Sequence, residues 1–159
     1  MNTLQEDSRE IKDDILQLAT FRLGEEEYAV EISTVQEINR MTEITKVPNS
    51  PPYIEGVLNL RGKIIPAVNL RKKFGLSEKD FDRHTRIMVV DIMETMVGLI
   101  VDAVSEVMRI SAETLEPAPA MTTGVHSKYI KGIGKINDRL IILLDLDKLF
   151  TGEEPDNLK

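Results

Sequence analysis

YIEGVLNLRGKIIPAVNLRKKF, residues 53–74, returns as YIKGIGKINDRLIILLDLDKLF, residues 129–150, and the two stretches align without a gap. Tyr53, Ile54, Gly56, Ile65, Leu70, Lys72 and Phe74 fall on the identical Tyr129, Ile130, Gly132, Ile141, Leu146, Lys148 and Phe150, an offset of 76 residues. Upstream a weaker match runs at an offset of 69, placing Glu25, Val35, Glu37 and Arg40 on Glu94, Val104, Glu106 and Arg109. The chain is therefore a duplicated module spanning about Leu16 to Phe150. Seven extra residues of the second copy fall between Ile110 and Tyr129, in SAETLEPAPAMTTGVHSK, which reads as a surface connection. This period exceeds the ~20–50 residues of stacked solenoid units, so each copy is a small half-domain. Two copies of one fold create a seam and two outer edges, which are places for partners rather than for a catalytic pocket.

Each copy reads as a run of short strands. ILQLATFRL and YAVEI flank a turn at Gly24, and GVLNL and KIIPAVNL flank a turn at Arg61 and Gly62. The second copy repeats the plan with RIMVVDIM and MVGLIVD around a turn near Glu94 and Thr95, then AVSEVMRI, then GIGKI and RLIILLDL around Asn137 and Asp138. Ser33 is placed to cap a short helical turn over TVQEI, and NRMTEITKV alternates like a strand. Pro48, Pro51 and Pro52 demand a loop, as do Pro117 and Pro119, and Pro66 inside a returning strand signals an edge or a bulge. RIMVV and LIILL are apolar on both sides, so both of their faces must be covered, and the second cover is either the seam between the copies, which is the preferred reading, or a partner surface. The expected fold is mainly β: two pseudo-symmetric five-stranded SH3-like β-barrels with short helices. Residues 1–14 read as a flexible arm, and 15–150 as one domain of two halves, roughly 15–84 and 85–150, between which strands can be exchanged. Residues 151–159 read as a tail.

Composition narrows the chemistry. The 159 residues carry a net charge of −7, which opposes nucleic-acid or anionic-membrane binding, since both need clustered Lys and Arg. There is no Cys, hence no disulfide or thiolate metal site, and a reducing cytosol is expected. The acidic, polar start resembles no signal peptide, and the longest apolar runs are far short of the ~18 residues that cross a bilayer. His84 and His126, the two histidines, stand alone and away from metal-ligand spacing, and read as surface residues. GVLNLRGK, from Gly56 to Lys63, has five residues between its glycines where a phosphate loop needs four, and Ile64 where Ser or Thr should bind magnesium. No nucleophile stands beside a candidate base, so no catalytic residue, metal or cofactor is assigned. A pair of oligonucleotide-binding barrels is the alternative function, but the aromatic platform and basic groove it requires are missing.

Recognition features remain: Val35, Glu37 and Ile38 on one short segment, and Asn59, Leu60, Arg61 and Gly62 at a hairpin tip. Glu37 recurs as Glu106, whereas Arg61 is replaced by Asn137, so a role private to the first copy, such as pairing with a partner's carboxylate, points to Arg61.

FRLGEEEYAV, VQEI, the proline-bracketed loop, YIEGVLNLRG, NLRKKF and VDAVSEV, in this order and spacing, resemble the CheW-like adaptors of bacterial chemotaxis over about residues 16–150. The resemblance implies two five-stranded SH3-like barrels and a non-enzymatic adaptor that couples methyl-accepting chemoreceptors to the histidine kinase CheA. The chain has no room for the ATP-binding, phosphotransfer or receiver modules that accompany this domain in CheA and CheV. Implied partners are the cytoplasmic hairpin tip of a receptor and the regulatory domain of the kinase. The implied place is the cytoplasm, at membrane-associated receptor arrays, with no insertion into the membrane. Carried over by position, the receptor-facing set falls on Glu37, Arg61, Thr85 and Val107, and the kinase-facing set on Val35 and Gly56. Arg86, beside Thr85, departs from the β-branched apolar residue of the family pattern.

Overall fold

A computed structural model describes residues 14–118 and 127–150. Residues 1–13 of the expected arm, the tail 151–159, Pro119 and His126 lie outside the described residues. The first copy forms β1 (Ile15–Leu23), β2 (Glu26–Glu31), β3 (Val35–Arg40), β4 (Ile54–Leu60), β5 (Lys63–Asn69) and the short helix α1 (Leu70–Lys73). The second forms β6 (Arg86–Ile92), β7 (Thr95–Val101), β8 (Ala103–Ser111), β9 (Leu115–Glu116), β10 (Ile130–Ile136), β11 (Arg139–Leu144) and α2 (Leu146–Phe150). The repeat thus holds element by element, with β9 as the addition.

The tight turns follow from backbone chirality. Arg61 and Gly62 (φ 50° and 88°) and Asn137 and Asp138 (φ 52° and 66°) place two consecutive residues in the left-handed region, as a two-residue hairpin turn matched to strand twist requires. Met93 and Glu94 do the same (φ 51° and 69°), so that turn sits one residue earlier than its composition suggests.

Sheet order runs β3-β6-β7-β5-β4 in one sheet and β8-β1-β2-β11-β10-β9 in the other. The first hairpin of each copy therefore lies in the other copy's sheet: β1–β2 joins β8 and β11, and β6–β7 joins β3 and β5. The registers mirror one another. Parallel pairing sets Ala67 against Gly98 in one sheet and Leu143 against Ala29 in the other, and these are repeat-equivalent pairs.

Exchange explains the burial. Ile87 and Val89 face a cluster with Leu58, Ile65, Ala67 and Ile100 inside the five-stranded sheet. Met88 and Val90, on the opposite face, join a larger cluster shared by both sheets, with Phe21, Tyr28, Val68, Phe74, Leu99, Tyr129 and Leu149. Leu18, Ala29, Ile110, Ile141 and Leu143 fill the six-stranded sheet. Both faces of RIMVV are thus covered, one of them by the seam, whereas LIILL is covered only in part, since Leu140 is 62% exposed and Ile142 half-buried. Removing such side chains from water, at ~1.5–3 kcal/mol each, drives the docking of the two halves.

Four local expectations need correction. VQEI is strand, not helical turn: its burial alternates with period two, and the preceding turn is a 3₁₀ turn, Ile32–Thr34, fastened by Thr34 Oγ1 donating to the Glu31 carbonyl at 2.7 Å rather than by Ser33. Past Arg40 the chain leaves the sheet and returns only through Thr45, which bridges to Val57. The insert of the second copy is more than a surface connection, because β9 pairs Leu115 and Glu116 with Gly134 and Ile133. Pro66 lies in an interior strand, but β5 meets β7 only from Ala67 onward, and β4 carries a bulge between Ile54 and Gly56 beside it. The missing N–H falls where no ladder is broken.

Candidate partner-binding site

β3 and β4 are the two end strands of the five-stranded sheet, and one side-chain pair ties their ends together. Glu37 projects from β3 and accepts a hydrogen bond from Arg61 Nη2, at the tip between β4 and β5. The tip is held by Asn59, whose Oδ1 accepts from the Gly62 N–H at 2.9 Å, so Asn59 is a turn-forming residue. The Arg61 side chain stays 75% exposed while Glu37 is only 21% exposed. The hydrogen bond from Arg61, aided by Asn39 and opposed by partial desolvation, holds the Glu37 carboxyl below its ordinary range. One guanidinium edge is engaged, and the other donors face solvent.

The second copy has its own version of this pair. Glu106, the counterpart of Glu37, accepts from Arg139 Nη1 at 2.9 Å, and Arg139 also binds Glu27 through Nε at 3.1 Å and Nη2 at 2.5 Å. These bonds, to Glu27 first and Glu106 second, push the guanidinium pKa up. An arginine–carboxylate clamp is therefore not private to the first copy. The distinction lies in wiring: Arg61 holds one carboxylate at the surface, whereas Arg139 holds two, and Glu27 is only 7% exposed. Arg139 and Glu27 escape notice when only Arg61 and Asn137 are compared. The signal was available, since the repeat offsets place them on Lys63 and Met96.

The remaining carried-over positions divide between surface and scaffold. Val35 enters β3 opposite Val90 and packs on the seam cluster. Thr85 is buried at the entry to β6, and its hydroxyl accepts from the Asp82 N–H at 2.8 Å, closing a turn. Gly56 is buried in β4 with φ 152°, and a Cβ there would stand 2.1 Å from the Thr45 carbonyl oxygen. Val107 is exposed on β8, an end strand of the other sheet, at the place equivalent to the exposed Ile38 on β3. Five of the six positions thus belong to one sheet, Glu37 and Arg61 in direct contact, and Val107 stands apart as their pseudo-symmetric relative.

Other chemistry finds little footing among the described residues. No group of three or more His, Asp or Glu is placed to hold a metal, and no helix is long and apolar enough to cross a membrane. His84 is exposed. Phe21, Tyr28, Phe74 and Tyr129 are consumed in the seam, where Lys73 Nζ also lies 4.1 Å from the centroid of Tyr53 and 6.0 Å from that of Tyr129. Phe81 is the exposed aromatic, and a single ring makes no stacking surface.

Comparison with known proteins returns one consistent answer. A family model described as "CheW-like domain" matches residues 17–154. The "Chemotaxis protein CheW" of Klebsiella aerogenes is 40% identical over 134 residues, covering 84% of this chain and 81% of that protein. That of Treponema pallidum is 34% identical over 152 residues, covering 93% and 89%. Among solved structures, the "scaffolding protein TtCheW from Thermoanaerobacter tengcongensis" superposes with a TM-score of 0.80 at 41% identity, covering 86% of this chain and 88% of that one.

Proposed function

This chain belongs to the CheW-like domain family and is a coupling adaptor of chemotaxis, and from that premise we propose which of its surfaces carry the coupling. It joins the cytoplasmic tip of a chemoreceptor to the regulatory domain of the kinase CheA, in the cytoplasm beneath the receptor arrays, without catalysing a reaction itself. Receptor contact centres on Arg61 and Glu37, with Val107 and the turn shaped by Thr85 completing the set. Kinase contact follows the β3–β4 edge marked by Val35 and Gly56.

The observation that carries this reading is the exposed Arg61 guanidinium, held by a single carboxylate at a hairpin tip. A receptor tip is a helical surface, and a cation pre-oriented by Glu37 at an exposed hairpin tip offers it a charge that sets register. Thr85 and Gly56 act through the backbone they fix rather than by touching the partner.

Co-sedimentation of the adaptor with receptor tips and kinase, with kinase autophosphorylation as readout, tests the proposal. Arg61→Glu should lower receptor-dependent activation while leaving the melting transition near that of the parent. Unchanged activation in a folded Arg61→Glu variant would remove Arg61 from the receptor surface. Failure of the parent to sediment with either partner would overturn the coupling assignment as a whole.

A further inference from the structure

Arg40, the last residue of β3, stands directly opposite Arg86, the first residue of β6. Directly opposite residues of an antiparallel pair project to the same face, and like charges there repel. The fold does not require this clash: at the repeat-equivalent place Arg109 on β8 faces Gln17 on β1, one cation against a neutral amide. Nor is the charge neutralised. Asp82, in the turn before β6, is spent on Lys79 Nζ at 2.7 Å and the His84 N–H at 2.8 Å, and no described carboxylate pairs with Arg40, Arg83 or Arg86. Arg86 Nη1 instead donates to the Arg83 and Thr85 carbonyls at 2.8 and 2.9 Å, which fixes the guanidinium and leaves its other donors to an outside acceptor. Two cations held side by side in a chain of net charge −7 mark a place for an anion.

Ile38, 39% exposed, shares the face of Arg40, whereas Glu37 projects to the other. β3 is an end strand, so a helix laid along its outer edge meets both faces at once: Glu37 and Arg61 on one, Ile38, Arg40 and Arg86 on the other. We propose that Arg40 and Arg86 together bind a carboxylate on the helical tip of the receptor, with Ile38 against an aliphatic neighbour of that carboxylate, and so select receptors that carry an acidic residue there. The inference rests on the receptor reading above and adds to it a second anchor, across β3 from Arg61. A carboxylate has an oxygen for each guanidinium, so its arrival turns a repulsive pair into two charge-assisted hydrogen bonds. The β-branched apolar residue of the family pattern would ask for an aliphatic surface at position 86; arginine changes that requirement to an acidic one.

Calorimetric titration of the full chain with the cytoplasmic hairpin fragment of a methyl-accepting receptor tests this. Arg40→Gln and Arg86→Val should each weaken binding about two- to fivefold at low salt, and the difference from the parent should shrink at high salt. Arg86→Val removes a like-charge contact and places a β-branched residue in a strand, so its melting temperature should equal or exceed the parent's, which separates lost affinity from lost fold. In the fragment, each surface Glu and Asp is changed in turn to Gln or Asn. One of these changes should cost the parent the same factor and cost the Arg40→Gln, Arg86→Val double variant nothing. A double variant that binds like the parent overturns the proposal, as does a fragment series in which every acidic change costs both adaptors alike. Arg61→Glu in the same titration separates the two readings: if it weakens binding while the double variant does not, receptor coupling through Arg61 stands and the second anchor falls. A parent that does not bind the fragment overturns both.

Discussion

Replacing Gly56 by alanine tests how the loop between β3 and β4 is fastened. Gly56 has φ 152°, where an L side chain is strained at a cost on the order of 1–3 kcal/mol. The added Cβ would also stand 2.1 Å from the Thr45 carbonyl oxygen and 2.8 Å from Ile44 Cγ2. Backbone, not a flexible side chain, must move. Relief means pushing residues 44–45 outward and breaking two hydrogen bonds, Thr45 N–H to the Val57 carbonyl at 2.9 Å and Val57 N–H to the Thr45 carbonyl at 2.8 Å. At ~0.5–1.5 kcal/mol net for each bond, these losses add to the backbone strain and give a total of roughly 2–6 kcal/mol. Gly132, the repeat equivalent, is the internal control, because the atom nearest a Cβ there is Leu115 Cβ at 3.2 Å and the backbone comes no closer than the Glu116 carbonyl oxygen at 3.5 Å. Gly132→Ala should change stability by about 1 kcal/mol or less, as reduced freedom of the unfolded chain offsets a small displacement of Leu115. Urea unfolding followed by circular dichroism measures both, and the midpoints should separate widely at similar slopes. Equal midpoints for the two variants would show that the close approach of Thr45 does not fasten this loop.

Arg61→Met and Arg139→Met should also differ: the first leaves Glu37 free to rehydrate, whereas the second strands Glu27 in a nearly dry site, so only Arg139→Met should lower the melting temperature clearly. In the Arg61 variant, the Glu37 carboxyl should titrate at higher pH by NMR than in the parent. Ile141→Asp buries an unpaired charge at a position 1% exposed and should cost on the order of 4–5 kcal/mol, abolishing the cooperative melt of the parent. Asp82, hydrogen-bonded by Lys79 first and by the His84 N–H, has its pKa lowered from 3.8 to about 2. Its contribution to the turn before β6 is therefore present above the unfolded value and fades as pH falls through the folded one. In Lys79→Ala that loss should begin at higher pH, as followed by NMR titration of Asp82.

The duplication was legible because seven identical residues in an ungapped register are hard to obtain otherwise, and it carried the strand inventory and the hairpin turns with it. What it could not convey was which strand lies beside which. β2 pairs with β11 and β5 with β7, partners separated by 114 and by 30 or so positions, and no local period encodes such a choice. Apolarity on both faces of RIMVV demanded a second cover, and the seam supplied it. TVQEI went the other way: a plausible cap at Ser33 suggested a helical turn, while the alternating burial of Val35, Glu37 and Asn39 against Gln36, Ile38 and Arg40 prevailed because β6 lies alongside. For Gly56 and Thr85 the sequence carries no signal beyond the family resemblance; the fold shows that each shapes backbone.

The comparison of copies also misled in one instructive respect. Arg61 stood out because Asn137 replaces it, yet the clamp it forms recurs with its arginine moved from the turn to the start of β11. Side-chain reach lets one contact survive a shift in sequence position, so absence at the equivalent residue does not prove absence of the interaction. The physical difference between the clamps is a better guide to function. Arg139 cannot leave Glu27 without exposing a buried carboxylate to an apolar wall, so that clamp is committed to the fold. Arg61 can exchange Glu37 for a partner's carboxylate while both groups remain hydrated, so little is lost in the exchange. A binding residue must be able to trade its intramolecular partner for an external one, and of the two arginines only Arg61 meets that condition.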